Sequence, residues 1–371
     1  MATFIETMLN AAAGSIATVR PDYIVVTDGP SHKAVELVRS VACPEKVMVI
    51  FDHDVPTGSP QAADILRKIN RFAREFGCNY IQAEGVGYQW MLNENVKPGQ
   101  IVIGGGRHNS IYGANGALGL NVSATELARV IESGYYSFIV PETVTVALTG
   151  KLDGSAIDAG LALRRLLGAA AKGKAVELTA EGLSEQEKAV ICGMACGSGA
   201  FTAVFTQAQA ADLTLNLGSV VPMIQMPCGS REEQQDAAIV PKKAVEGVEL
   251  QAGQIGGFTG GTIADLRKAA ALMEGKTLKR GFRLSIVPAT SKDYLEAMNE
   301  GLIEKFIDFN AQINAVGDKS VVWQGAGVID KGEKLLTTGL YTYDGCMGVP
   351  GSLVYTGSVE SVISAAVTKT I

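Results

Sequence analysis

Two histidines follow apolar stretches of the chain and are the residues best suited to move protons near neutral pH. The chain contains His32, His53 and His108, and the last two each come directly after an apolar run and its polar turn. His53 lies between Asp52 and Asp54, so a carboxylate can fix its tautomer and make it a general acid or base. An Asp-His pair at the end of a strand also stabilises turns, so a structural role for His53 stays open.

The loop that carries His108 is rich in glycine and places an arginine beside it. The segment GGGRH (104–108) follows the apolar residues 101–103. Glycine adopts backbone angles that a Cβ forbids, so this loop can bring its backbone close to a ligand. Arg107 can then bind a carboxylate or phosphate. The simpler interpretation is a tight turn with a solvated arginine and an exposed histidine.

A second glycine-rich segment, QIGGFTGGT (254–262), precedes a predicted helix. Its backbone N–H groups are suited to an anion cradle at the N-terminus of that helix. The segment lacks the lysine of a phosphate-binding loop and the G-x-G-x-x-G spacing of a dinucleotide site. A nucleotide ligand is therefore not expected.

Strand and helix signals alternate along the chain, which is typical of α/β domains. β-Branched runs at Tyr23–Thr27 and Val47–Phe51 predict strands, and the residues 32–42 between them have helical spacing. A serine cap at Ser59, followed by proline, predicts a helix that ends at Gly77. Two capping boxes predict further helix starts, and their members are Ser123 with Glu126 and Ser184 with Glu187.

The composition indicates a large globular protein. The chain has 371 residues, 47% of them hydrophobic, and a mean hydropathy of +0.18, enough for more than one core. A scattered net charge of -6 argues against nucleic-acid or anionic-membrane partners. No apolar run approaches about 18 residues, and the acidic start does not resemble a signal peptide. We expect a cytoplasmic protein whose six cysteines, which match no zinc pattern, are reduced.

Six segments, in order and over nearly the whole chain, resemble the large subunit of the aconitase superfamily, as in isopropylmalate dehydratase and homoaconitase. DHDVP (52–56) is similar to the Asp-His-x-x-Pro of that family. The run from GVGYQ to ANGALG (85–119) resembles its Gly-Ile-x-His-Gln and Gly-Ala-Asp-Ser-His-Thr region. The other four are VPETVTVALTGKL (140–152), ICGMACGSGA (191–200), IGGFTGGTIADLRKAA (255–270) and GEKLLTTGLYTYDGCMG (332–348).

The resemblance implies three α/β/α domains of the aconitase type around a central cleft. We place these domains at residues 1–142, 143–240 and 241–371. In the family a fourth, swivelling domain, often a separate small subunit, closes the cleft, and this sequence stops before it. We therefore expect a small carboxylic acid as ligand and a small subunit or a homo-oligomer as partner, with no nucleic acid and no membrane.

The departures from the family pattern concern the cofactor first. Family members hold a [4Fe-4S] cluster on three cysteines, and here the first of these positions is Phe258. The other two belong in a region between Cys228 and Cys346 that contains no cysteine. Because thiolates hold such clusters, the resemblance predicts no iron-sulfur cluster, and we expect neither a cofactor nor a metal.

Other departures change the expected substrate contacts. Both arginines of the Asn-Arg-Asn-Phe-x-Gly-Arg motif are absent from LYTYDGC (340–346), and Gly106, Gly197 and Tyr88 replace a motif aspartate, glutamate and histidine. The resemblance assigns catalysis to His53, His108 and Asp52. We expect substrate contacts from a further set, namely Gln89, Arg107, Tyr88, Gly256, Gly257, Thr259 and Tyr341.

Three functions remain open at this point. The favoured one is a lyase or isomerase without a cluster, acting on a small hydroxy or unsaturated acid by proton transfer through His53 and His108. Isomerisation is easier to explain than dehydration when no iron polarises the hydroxyl. The alternative is a non-catalytic ligand-binding or assembly subunit, which the loss of the motif arginines favours. A mononuclear metal enzyme using His53, His108 and Asp52 comes third, because these side chains are a thin ligand set.

Overall fold

The first part of the chain forms a parallel sheet flanked by helices. A computed structural model describes residues 2–207, 210–322 and 324–371. The elements of the first part are α1 (Phe4–Leu9), β1 (Ile16–Val19), β2 (Tyr23–Thr27), β3 (Val47–Phe51), α2 (Pro60–Phe76), β4 (Asn79–Gln82), α3 (Gly87–Glu94), β5 (Ile101–Gly105), β6 (Leu118–Val122), α4 (Ala124–Ser133) and β7 (Tyr136–Ile139). The parallel strands lie in the order β4-β3-β2-β5-β6, and β1 pairs with β7 in a separate antiparallel ribbon.

Strand β3 shows why this sheet is buried on both faces. Its residues alternate between two apolar cores, one containing Val47, Val49 and Phe51 and the other containing Met48 and Ile50. β-Branched and large apolar side chains suit a strand that is covered on both sides. All carboxyl ends of a parallel sheet lie at one edge, where ligands bind in open α/β folds.

The second part of the chain forms another parallel sheet. Its elements are β8 (Thr143–Thr149), α5 (Ala156–Leu167), β9 (Ala175–Ala180), α6 (Glu185–Ala195), β10 (Thr202–Phe205) and β11 (Leu213–Asn216). The strand order is β10-β9-β8-β11. The hydroxyl of Thr202, at the start of β10, donates to the carbonyl of Gly119 in β6 (2.7 Å). The amino-terminal edge of the second sheet therefore meets the first part, and its carboxyl edge points away.

The third part forms a mixed sheet. Its elements are β12 (Met223–Gln225), β13 (Ile239–Pro241), β14 (Ala252–Ile255), α7 (Ile263–Met273), β15 (Arg283–Ile286), α8 (Ser291–Asn299), α9 (Leu302–Asp308), β16 (Gln312–Ile313), β17 (Lys334–Thr337), β18 (Leu353–Thr356) and α10 (Val359–Thr368). The order is β13-β12-β18-β17-β14-β15-β16, with β12 antiparallel to both neighbours. Across the described ranges, every helix is too short or too polar to cross a bilayer.

Most of the local predictions are confirmed. Strands β2 and β3 have the predicted bounds, and both capping boxes form. Helix α2 starts at the Ser59 cap and ends at Gly77, whose positive φ of 71° favours glycine. The predicted helix at 32–42 is wrong, because only a 3₁₀ segment, Pro30–Glu36, forms there. The Ser31 hydroxyl bonds to the backbone of Thr27 instead, and such local bonds compete with a regular helix.

The strands around residue 240 belong to the third sheet. The sequence prediction assigned residues 143–240 to one domain, yet β12 and β13 pair with each other and β12 pairs with β18 through Gln225 and Thr356. These short strands carry no hydrophobic pattern that distinguishes one sheet from the next. The division into domains at 142 and 240 stays a prediction.

Candidate active site

Loops from the first and third sheets meet in a cleft between the two sheets. The N–H of Asp318 donates to the carbonyl of Asp52 (2.8 Å), and the N–H of Val86 donates to the carbonyl of Ala289 (2.7 Å). Asp52 follows β3 and Ala289 follows β15. The carboxyl edges of two sheets therefore line one cleft, the place where ligands bind in this class of fold.

An aspartate-histidine dyad lies at the end of β3. His53 Nδ1 is 2.6 Å from Asp52 Oδ1, and Asp52 Oδ2 accepts a hydrogen bond from the N–H of Gly87 (2.8 Å). Asp28, which follows β2, accepts the N–H groups of Asp52 (2.8 Å), His53 (2.9 Å) and Asp54 (2.9 Å). The buried carboxylate of Asp28 thus fixes the backbone of the loop, and Asp52 fixes the imidazole ring.

The two carboxylates keep His53 protonated. Burial alone would lower the pKa of His53, but the charges and hydrogen bonds of Asp52 and Asp28 outweigh it and raise that pKa well above 6.5. Burial raises the pKa of Asp52 to about 6 despite its bond to His53. For Asp28, burial is outweighed by the hydrogen bond and charge of His53, so its pKa falls below the ordinary 3.8. An imidazolium therefore faces the cleft at neutral pH.

His108 lies in an aromatic environment that has the opposite effect. Its ring stacks on Phe258, with centroids 3.7 Å apart and planes 18° apart, and meets Tyr88 and Tyr341 at 5.3 Å each. Nδ1 of His108 is buried and has no hydrogen-bond partner in the described residues. Burial lowers the pKa of His108 to about 4. His108 is therefore neutral at physiological pH.

All three histidines line one cavity of about 290 Å³ in this cleft. His32 contributes from the 3₁₀ segment, where its Nδ1 lies 2.6 Å from the carbonyl oxygen of Gly29. The sequence analysis singled out only His53 and His108. The predicted residues Arg107, Tyr88 and Tyr341 also line this cavity, and the buried Asp52 lies behind His53.

The cavity contains residues that the sequence analysis missed. Asp28, Arg231, Asp318 and Tyr343 line it, and the ammonium of Lys319 donates to the carbonyl of His53. Asp28 follows a predicted strand, so the rule that ligands gather at strand ends would have found it. Tyr343 lies two residues after Tyr341 in LYTYDGC (340–346). No local pattern marks Arg231, Asp318 or Lys319, because they come from irregular segments far from His53 in sequence.

Four residues predicted to contact substrate lie behind the cavity wall. Gln89 donates to the carbonyl of Phe258 (2.8 Å), and Thr259 donates to the carbonyl of Thr338 (2.9 Å). The N–H of Gly256 donates to the hydroxyl of Thr338 (2.8 Å), and a Cβ on Gly257 would lie 2.6 Å from Ser320 Oγ. These glycines allow two loops to pack closely. Gln89, Gly256, Gly257 and Thr259 therefore support the wall, and their contact with a substrate stays a prediction.

A larger cavity, of about 960 Å³, lies at the carboxyl edge of the second sheet. Its charged lining residues are Lys151, Glu181 and Glu187, with no histidine among its described lining residues. Glu187 is already the capping partner of Ser184. The smaller cavity, where imidazoles and guanidinium groups converge, is the better candidate for chemistry.

The fold and the cleft define an α/β protein with its site between the carboxyl edges of two sheets. A sequence model of the aconitase family (aconitate hydratase) matches residues 7–211. The chain belongs to the aconitase family, as its sequence motifs indicated.

Curated relatives match over nearly their full length. The chain is 26% identical to 3-isopropylmalate dehydratase large subunit 2 of Archaeoglobus fulgidus, and the match covers 96% of this chain and 94% of the relative. It is 28% identical to the methanogen homoaconitase large subunit of Methanocaldococcus jannaschii, with the same coverage. It is also 28% identical to the homoaconitase large subunit of Thermus thermophilus, covering 96% of this chain and 91% of that one.

A solved structure shares the fold. Aconitase X of Thermococcus kodakaraensis, in its holo-form, superposes with a TM-score of 0.59 and 13% sequence identity, and the match covers 98% of this chain and 96% of that chain. The identity is too low to compare individual site residues. The likeness confirms the aconitase-type α/β fold.

The prediction that no cofactor binds is wrong. The aconitase X neighbour was solved in a holo-form, and this chain itself brings together Asp28, Asp52 and His53, with one donor atom of each within 4.8 Å of the others. Carboxylate and imidazole donors fit a single cation. In the described part of the chain, no such group of three includes a cysteine. From the sequence, a metal was weighed only on His53, His108 and Asp52, and Asp28 was missed because it follows a different strand.

Proposed function

We propose that this chain is an aconitase-family hydro-lyase or isomerase that acts on a small hydroxy or unsaturated carboxylic acid by histidine-mediated proton transfer. The observation that carries the proposal is that His53, which is bonded to Asp52, and His108 line the same cavity. Family membership and relatives named as dehydratases and homoaconitases support the reaction class.

The two imidazoles are suited to different roles. Elimination of a β-hydroxyl needs a base at carbon and an acid at the departing oxygen. His53 is held in its protonated form by Asp52 and Asp28, so it is the acid. His108 is neutral and poorly solvated, so it is the base. Environments that push two pKa values apart are a general way to assign an acid and a base.

The remaining groups of the cavity would hold the substrate and assist its oxygen atoms. Arg107 is placed to bind the carboxylate through its planar guanidinium. A cation held by Asp28, Asp52 and His53 would take the place of the proton on His53, and it would then supply Lewis acidity to a substrate oxygen instead of that acid. Tyr341 and Tyr343, whose rings meet edge to face at 5.8 Å, offer an apolar wall for the rest of the substrate.

We further propose that a separate small subunit closes the cleft. The similar proteins from Archaeoglobus, Methanocaldococcus and Thermus are all named as large subunits. Closing the cleft would exclude water and strengthen the electrostatic interactions inside it. This partner is tested by the molar mass from light scattering. The protein is measured alone and after co-expression with a small subunit that is encoded next to it. A monomer with full activity by itself would contradict it.

The catalytic proposal is tested by proton exchange as well as by turnover. Wild-type protein, alone and with the small subunit, is incubated in D₂O with 3-isopropylmalate and other 2-hydroxy acids, and NMR follows deuterium uptake and product. His53→Asn and His108→Asn are expected to lower the turnover rate by about 10²–10⁴-fold, with folding checked by melting temperature. The exposed Arg280→Gln serves as control. Binding of an acid without exchange or product would indicate the alternative, a ligand-binding subunit.

A further inference from the structure

We propose that Arg231 is a second anion-binding residue of this site and holds the substrate carboxylate together with Arg107. This assignment shares one assumption with the proposed function, namely that the ligand is a carboxylic acid. Arg231 lies between β12 and β13, more than one hundred residues after Arg107 in sequence. In the structure both arginines line the cavity that contains the three histidines.

Neither guanidinium has a carboxylate partner. In the described ranges Arg67, Arg267 and Arg283 form ion pairs, whereas no carboxylate oxygen lies within 4.0 Å of Arg107 or Arg231. Two cations on the wall of one cavity repel each other, and a bound anion offsets this repulsion. Arginine is well suited to this role because its fork of N–H donors matches a carboxylate.

Both charges act on the same rings. Burial raises the pKa of Tyr341 and Tyr343, and the charges of Arg107 and Arg231 both act against that rise. Both charges also lower the pKa of His108, after burial and His53, and the charge of Asp318 acts against them. Both guanidinium groups therefore act on the two tyrosines and the neutral imidazole with which they line this cavity. A carboxylate bound between them would lie in the cavity that His108 lines.

The loop that carries Arg231 is fixed on both sides of it. The N–H of Gly229 donates to the carboxylate of Glu233 (3.0 Å), and the N–H of Glu233 donates to the hydroxyl of Ser230 (3.3 Å). The buried Gln234 then donates to the carbonyl of Leu340 (3.2 Å). Arg231 is thereby held on a local turn that is attached to the segment preceding Tyr341.

A buried arginine of helix α5 is hydrogen-bonded to the loop that carries Arg231. Arg164, which is 3% exposed, donates to the carbonyls of Gly197 (2.9 Å) and Gln234 (3.4 Å) and to the side chain of Gln225. Gln234 in turn accepts the N–H of Thr342 through its side chain (2.8 Å). This network ties the Arg231 loop to the residues around Tyr341. Holding an anion-binding residue on rigid supports lowers the entropy lost on binding.

The proposal is tested by binding of non-reacting acids. Isothermal titration with malonate and succinate, and with 3-isopropylmalate at a temperature where turnover is slow, compares wild type with Arg231→Gln and Arg231→Lys. Loss of charge-assisted hydrogen bonds is expected to weaken affinity by about 10–100-fold in Arg231→Gln. Arg231→Lys is expected to recover only part of it, because lysine lacks the planar fork. Arg107→Gln is expected to show a similar loss, and the exposed Arg280→Gln none.

The outcomes separate this proposal from the proposed function. An unchanged affinity in Arg231→Gln with a folded protein overturns the assignment, and so does the absence of acid binding by wild type at millimolar concentrations. A loss of affinity of 10-fold or more in Arg231→Gln supports the assignment, provided that both proteins are measured at the same salt concentration and have similar melting temperatures. Malonate and succinate binding is measured without turnover, so a failure of catalysis leaves the binding result intact.

Discussion

The imidazole of His108 stacks on the ring of Phe258, with centroids 3.7 Å apart. Phe258 is fully buried, and the sequence resemblance places it where the aconitase family carries its first cluster cysteine. The aromatic ring removes water from one face of His108 and offers no hydrogen bond in return. Desolvation of this kind disfavours the imidazolium, and it is the largest cause of the low pKa of His108.

Shortening Phe258 is expected to raise the pKa of His108. Phe258→Leu admits solvent to the stacked face, and it also costs about 1–3 kcal/mol of unfolding free energy through lost burial. NMR titration of the histidine ring and urea denaturation measure the two effects. Phe282→Leu, in the core of the third sheet, is the matched control, with a similar stability loss and an unchanged His108 pKa. An unshifted His108 pKa in Phe258→Leu would show that stacking does not set it.

His108 is expected to make folding stability dependent on pH in the acid range. Its pKa is about 4 in the folded chain and close to 6.5 in the unfolded chain, so the unfolded state binds more protons between these values. The contribution is complete above pH 6.5 and is lost as pH falls towards 4, by about 2 kcal/mol at pH 5. Urea unfolding of wild type and His108→Gln at several pH values measures it. The difference between the two proteins isolates His108 from the other buried groups, and a constant difference would contradict the assignment.

The group formed by Asp28, Asp52 and His53 is expected to bind a divalent cation. Binding to the folded state alone stabilises a protein by mass action, so Mg²⁺, Mn²⁺, Fe²⁺ or Zn²⁺ should raise the melting temperature of chelator-treated wild type. Asp28→Asn keeps one acceptor oxygen for the loop but removes a charge, and should lose most of this increase. Elemental analysis of the purified protein identifies the metal. Equal stabilisation of wild type and Asp28→Asn would place the cation elsewhere.

Gly197 is expected to tolerate no side chain. A Cβ there would lie 2.6 Å from Cζ of Arg164, and the guanidinium cannot withdraw because Gln225 and Gln234 also hold it. Gly197→Ala should therefore cost about 1–3 kcal/mol of unfolding free energy, as overpacking does. Gly154→Ala is the matched control, since nothing lies within 4 Å of a Cβ at that position. Similar urea midpoints for the two variants would show that the Arg164 guanidinium can move aside at little cost in stability.

The amino-acid sequence alone determined the family and the parts of the site that are local in the chain. Asp52 and His53 are neighbours in sequence, so their dyad needs only a strand end to form, and the predicted strand β3 provides it. Capping boxes and the glycine at the end of α2 were predictable because each depends on contacts within one helical turn.

Only the tertiary structure decided which distant residues join this dyad. His32 and Arg231 enter the cavity because the first and third sheets face each other, which no local pattern encodes. Asp28 accepts the N–H groups of three consecutive residues, Asp52, His53 and Asp54, yet it reaches them from the end of a neighbouring strand. The glycines at 256 and 257 have a ligand-binding pattern, and only the structure shows that they also lie where loops pack closely. Contacts between remote segments depend on how whole sheets pack, and sequence periodicity reports only which face of each strand is buried.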